Sequence, residues 1–170
     1  MVAATAPARE AVMPDLKLPA LDPASVPEKG GTGYPPPYRA LVAGRYRRRL
    51  GDAAGIRNFG VNLTRLEPGS ASAHRHWHER EDEFVYVLEG ELVLITNAGA
   101  QVLKAGMAAG FPGGVPDGHH LVNRSDKPAL FLEIGDRPAG DRFHYPDIDL
   151  EGYDESRAAT VFTHKDGRPW

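Results

Sequence analysis

The sequence predicts an all-β fold, a small barrel or a two-sheet sandwich. Three observations carry the prediction. Glycine (19) and proline (15) are frequent in a chain of 170 residues, and they mark many turns. Between those turns lie short runs rich in Val, Ile, Leu, Phe and Tyr, at the length of strands rather than helices. No window of ten or more residues carries a convincing helical period. Many short strands with glycine-marked turns bury their apolar faces by stacking two sheets or by closing one sheet on itself.

The elements follow in order. Residues 1–38 are rich in Pro and Ala. Pro7, Pro14, Pro19, Pro23, Pro27 and the run Pro35-Pro36-Pro37 deny them regular helix or central strand. They read as an extended arm that lies on the barrel or on a neighbouring subunit, with a disordered tail as the alternative. Residues 38–50 form one or two strands. Their run Arg45, Arg47, Arg48, Arg49 reads as an exposed strand or strand end. Residues 51–55 are a loop, 57–66 a strand, and Pro68-Gly69 a turn. Strands follow at 74–78, 83–88 and 91–96, the last two joined by Glu89-Gly90 as a tight hairpin. Further strands are expected at 101–103, 107–111, 119–123 and 129–134. Residues 136–170 read as a C-terminal extension, with one more strand at 160–164.

The runs Phe84-Val85-Tyr86-Val87-Leu88 and Leu92-Val93-Leu94-Ile95 are apolar on both faces, so both faces should be covered. One face would line the interior. The other would meet a second sheet or a partner subunit, which predicts a homodimer.

Composition removes several function classes. The 20 basic and 23 acidic residues leave a net charge of −3, and no basic stripe suggests a nucleic-acid partner. The absence of cysteine excludes disulfides, thiolate metal sites and cysteine nucleophiles. Glu10, Asp15 and Lys17 interrupt the N-terminus, so no signal peptide is read there. No stretch reaches the roughly 18 apolar residues that span a bilayer. The expectation is a soluble cytoplasmic protein with no membrane partner.

The densest chemical cluster is His74-Arg75-His76-Trp77-His78, followed by Glu79, Glu81, Asp82 and Glu83. Residues two apart in a strand share a face, so His76 and His78 can reach one ion together, with His74 in phase. A carboxylate of the next strand would complete the set, and neutral imidazole is the commonest protein metal ligand. Further on lie His119 and His120, which point to opposite faces of one strand. One of them can supply a further ligand.

The spacing around these residues resembles the cupin motifs. Pro68-Gly69, His76-Trp77-His78, four residues, Glu83, six residues and Gly90 resemble the first. Gly106, five residues, Pro112-Gly113-Gly114, then His119, three residues and Asn123 resemble the second. The gap from Gly114 to His119 is two residues longer than usual, and the first glycine lies one residue further from the histidine pair; both are loop-length changes. The motifs span residues 69–123.

The resemblance implies a double-stranded β-helix, the jelly-roll barrel of cupins, over residues 39–170 with the arm 1–38. It implies one divalent metal ion (Fe, Mn, Ni or Zn) on His76, His78, Glu83 and His119, with Glu83 as a catalytic base. His119 is preferred over His120 because only it lies four residues before Asn123. Three imidazoles and one carboxylate leave positions open for a small oxygenated ligand. The functions implied are sugar or sugar-phosphate isomerisation or dioxygenase-type cleavage. The alternative is a non-catalytic small-molecule sensor working through a separate partner protein. A phosphate-bearing substrate would need Arg or Lys in the cavity, and Arg57, Arg65 and Lys104 are the candidates. Each ligating histidine also needs an acceptor for its other nitrogen, and sequence does not identify one.

Overall fold

The computed structural model describes residues 16–156 and 159–170; the first part of the expected arm, residues 1–15, lies outside the described residues. The strands are β1 (Lys29–Gly30), β2 (Arg45–Arg49), β3 (Phe59–Leu66), β4 (Trp77–His78), β5 (Glu83–Glu89), β6 (Glu91–Thr96) and β7 (Gly99–Lys104). They continue with β8 (Ala108–Phe111), β9 (His120–Val122), β10 (Ala129–Asp136), β11 (Arg142–His144), β12 (Glu151–Ser156) and β13 (Ala159–Thr163). One six-stranded sheet has the order β1-β2-β3-β10-β5-β8. A three-stranded sheet, β7-β6-β9, packs across it, and a four-stranded sheet, β13-β12-β11-β4, closes one end. The pairings are antiparallel. This is the small all-β barrel of packed sheets that the sequence predicts.

The main core lies between the six-stranded and three-stranded sheets. Leu66, Val85, Val87, Ala129 and Phe131 of the six-stranded sheet meet Leu92, Leu94, Leu103 and Leu121 of the three-stranded sheet. Val85 and Val87 alternate with Phe84, Tyr86 and Leu88, which stand outward and exposed. A second cluster sits under the four-stranded sheet: Tyr34, Val42, Phe143, Tyr145 and Leu150. Tyr34 belongs to the proline-rich segment, so this part of it is packed rather than free. Its neighbour β1 pairs with β2.

Three expectations change. Glu89-Gly90 is not a hairpin: β5 pairs with β10 and β8, whereas β6 pairs with β7 and β9. The chain turns a corner there from one sheet to the other. Gly90 takes φ 77°, and a Cβ would stand 3.2 Å from Ala129, so glycine answers both demands of the corner. Residues 50–53 form one short helical turn, Leu50–Ala53, where a loop was expected. The arginine run is not simply exposed. Arg45 is buried and Arg47 turns into the barrel, while Arg49 faces water. A polar strand carries no hydrophobic alternation, so sequence cannot say which of its faces turns inward.

Candidate metal centre

Four expected side chains converge at one end of the barrel. His76 and His119 are tied by a two-bond antiparallel bridge, His76 N–H to the His119 carbonyl at 3.2 Å and the reverse at 2.9 Å. That bridge sets the two rings side by side, centroids 5.2 Å apart. His78, two residues on in β4, places its ring 5.0 Å from that of His76. Glu83 opens β5, between Phe111 of β8 and Gly135 of β10. Its Oε2 lies 2.9 Å from His119 Nε2, 3.6 Å from His78 Nε2 and 3.7 Å from His76 Nε2. Ligand atoms of His76, Glu83 and His119 all lie within 4.8 Å of one another.

The other nitrogen of each ring is already occupied. His76 Nδ1 lies 2.9 Å from the His74 carbonyl, and His119 Nδ1 lies 3.1 Å from the Asp117 carbonyl. His78 Nδ1 lies 2.5 Å from Asp141 Oδ2. A carbonyl or carboxylate only accepts, so each Nδ1 carries a proton and Nε2 is the nitrogen turned toward Glu83. His119 Nε2 donates to Glu83 Oε2 as the site stands, and an ion would take the place of that proton. A donor set of three imidazoles and a carboxylate fits a divalent cation of the borderline class, since imidazole and carboxylate together suit Fe, Mn, Ni or Zn.

The protonation energetics differ from ring to ring. Burial pushes the His76 imidazolium down to about 3, so this ring is neutral at pH 7. Burial alone would raise the Glu83 carboxyl. The His119 hydrogen bond and the three imidazoles instead hold it well below the usual carboxylate range. Burial opposes a charge on His78 too, but the hydrogen bond to Asp141 and the nearby carboxylates push it up to about 9.

The remaining histidines go elsewhere. His74 Nε2 bonds the Tyr38 carbonyl at 2.8 Å, and its ring meets Tyr34 and Tyr38 edge-on. His120 Nδ1 bonds the Ala73 carbonyl at 3.0 Å, while its neighbour His119 faces Glu83. His144 stacks on Trp77, and His164 stacks on Trp170. Phe111 lies parallel to His119 at 3.7 Å, and Tyr145 stacks on the far side of His76. These aromatic walls fix the ring planes.

Asp141 escaped the sequence reading, and Glu81 entered it only as a member of the acidic cluster after His78. Asp141 is 1% exposed, and its Oδ1 accepts the backbone N–H of Arg80 at 2.8 Å and of Glu81 at 3.3 Å. It lies 63 residues after His78 in a loosely patterned stretch, and no motif flags it. Glu81 lines the cavity beside Glu83, and burial pushes its carboxyl up to about 8. A second ligand-like group, His78, Glu81 and Asp141, shares His78 with the first.

The site opens into a cavity of about 350 Å³. Its wall includes Arg47, Asn62, Phe111, Glu133 and Arg137. Arg47 grips Glu133 with two bonds, Nε to Oε2 at 2.7 Å and Nη2 to Oε1 at 3.1 Å, and Thr64 Oγ1 donates to the same Oε2 at 2.9 Å. Arg57 and Lys104 are exposed outside the wall, and Arg65 is spent on Glu28 and Glu67. None of those three sequence candidates lines the cavity.

Comparison with known proteins follows the geometry. Residues 62–135 match the family model described as Cupin domain. A solved structure from Silicibacter pomeroyi, described as a sugar phosphate isomerase from a cupin superfamily, is 45% identical with a TM-score of 0.85. The match covers 89% of this chain and 96% of that one. A second, from Acidithiobacillus ferrooxidans and provisionally named a sugar phosphate isomerase, is 30% identical with a TM-score of 0.66. It covers 72% of this chain and 77% of that one. The polyketide cyclase RemF of Streptomyces resistomycificus, 22% identical with a TM-score of 0.56, shares the fold; 69% of this chain and 78% of that one are covered. No curated protein matches the chain.

Proposed function

The chain belongs to the cupin superfamily, and on that premise we propose that it is a metal-dependent isomerase of a small hydroxy-carbonyl compound of the sugar or sugar-phosphate class. The observation that carries the reading is the set of three histidine Nε2 atoms turned toward Glu83, with His76, Glu83 and His119 lining a cavity large enough for such a molecule. The names of the relatives at 45% and 30% identity support the same class.

His76, His78, Glu83 and His119 would hold the ion. When bound, it supplies Lewis-acid polarisation of a carbonyl and its neighbouring hydroxyl. The chain itself must then move a proton between adjacent carbons. Glu83, the base expected from sequence, is engaged by three imidazoles. Glu81 faces the same cavity and accepts no hydrogen bond among the described residues. A carboxyl pushed up to about 8 exchanges a proton readily near neutral pH. We therefore assign proton transfer to Glu81 and ion binding to Glu83. Glu81 takes the proton from one substrate carbon and returns it to the next, while the hydroxyl proton passes from the first carbon's oxygen to the second's, so that atoms and charge are conserved. Phe111 and the aliphatic parts of the wall limit water at that step.

Metal analysis of untagged protein beside a His76→Ala/His78→Ala double variant tests the centre. About one ion per chain, lost in the variant, supports it. No ion in either protein after reloading with Fe, Mn, Ni or Zn refutes it. Deuterium incorporation at the carbon next to the carbonyl of test aldoses and ketoses, lost in Glu81→Gln, tests the reaction. The exposed Phe84, Tyr86 and Leu88 on the outer sheet face support a homodimer, which sedimentation equilibrium tests.

A further inference from the structure

The cavity wall carries a second recognition element, and its charge pattern speaks to the substrate. Arg47 and Glu133 neutralise each other, and the guanidinium is one-third exposed toward the cavity. Once its two bonds to Glu133 are counted, Nη1 is left free to donate. Glu133 Oε1 receives only one of those bonds and can accept another. The pair therefore keeps both a donor and an acceptor unspent at one wall of the cavity, which is the complement of the hydroxyls of a carbon chain.

The other cavity arginine, Arg137, is also paired, to Asp52 Oδ1 at 2.6 Å. Among the described residues, the wall thus shows no arginine or lysine without a carboxylate partner. Against two paired arginines it holds four carboxyl groups: Glu81, Glu83, Glu133 and Asp154. Arg45 is buried behind the wall and donates to the Ser72 carbonyl. A phosphate dianion entering this space would meet no arginine or lysine of the wall that a carboxylate does not already neutralise, so no wall residue offsets the cost of stripping water from its charge.

We propose that Arg47 and Glu133 form a hydroxyl-reading subsite and that the substrate is an unphosphorylated polyhydroxy aldehyde or ketone. The proposal rests on the isomerase reading only for where the carbonyl sits. Its own basis is the paired charge of the wall.

Equilibrium binding tests it. Full-length protein loaded with Zn(II) is titrated by ligand-observed NMR with mannose, fructose, mannose 6-phosphate and fructose 6-phosphate. The free sugars are expected to bind at least tenfold tighter than their own esters. Glu133→Gln keeps the shape of the side chain but leaves the Arg47 charge unpaired. It is expected to shrink that preference to threefold or less, or to invert it. Arg47→Met is expected to weaken the free sugars by tenfold or more. Esters that bind as tightly as the sugars in the unmodified protein overturn the proposal. So does a preference that Glu133→Gln leaves intact, or the absence of binding by all four probes. The two readings fail separately. A protein that binds free sugars but interconverts none loses only the isomerase reading; one that interconverts the esters loses only this proposal.

Discussion

Asp141→Asn isolates the tautomer argument, because it changes no expected ligand. Asp141 Oδ1 is held by the backbone N–H groups of Arg80 and Glu81, so an asparagine must keep its oxygen there. Its NH₂ then replaces Oδ2, 2.5 Å from His78 Nδ1. Two N–H groups cannot face each other, so His78 must move its proton to Nε2 or leave a buried donor unmatched. The first removes the lone pair aimed at Glu83; the second costs about 1–3 kcal/mol. Loss of such an oriented partner typically weakens metal affinity about 10–100-fold, or roughly 1.4–2.8 kcal/mol. Competition with a chromophoric chelator measures it. A thermal melt of the metal-free variant establishes that the fold survives. Affinity within threefold of the parent, in a variant that melts normally, would refute the reasoning.

Other perturbations read other parts of the structure. Because Asp141 and the carboxylates hold His78 protonated up to about 9, ion binding below that pH must displace one proton. Apparent affinity should fall about tenfold per pH unit below about 9, and should reach its plateau at lower pH in Asp141→Asn; a parent plateau already present at pH 7 would contradict this. Asn123 is fully buried and donates to the Leu66 and Lys127 carbonyls. Asn123→Ala should cost about 2–4 kcal/mol and lower Tm by roughly 5–15 °C, measured by calorimetry. A Cβ on Gly152 would sit well inside contact with the Phe143 ring. Gly152→Ala should therefore cost about 1–3 kcal/mol in a denaturant melt, with Gly33→Ala, whose nearest neighbour is 4.0 Å away, as the neutral control.

Sequence and structure agree where spacing carries the information. His76, His78, Glu83 and His119 occupy fixed positions relative to Gly90 and Asn123, and each histidine places Nε2 within 3.7 Å of Glu83 Oε2, with His76, Glu83 and His119 forming the mutually close group. Agreement fails where the deciding contact is remote. A single glycine between two apolar strands reads alike whether the strands pair or part, so Glu89-Gly90 passed for a hairpin. Arg47 sits in a strand of charges whose inner face no hydrophobic residue marks, and only its pairing with Glu133, 86 residues away, reveals it. Asp141 lies three residues from His144 in sequence, yet its partner is His78, 63 residues before it.

The proline-rich segment ends the account with a practical consequence. Tyr34 takes a hydrogen bond from Tyr145 at 3.2 Å, Tyr38 braces His74, and Tyr145 in turn backs His76. A shortened chain starting at residue 39 would retain every ligand and still lose one side of the bed on which His76 rests. Metal affinity should then respond to where the N-terminus is cut. The length of that segment becomes a dial on the centre, adjustable from outside the barrel without altering any group that touches the ion.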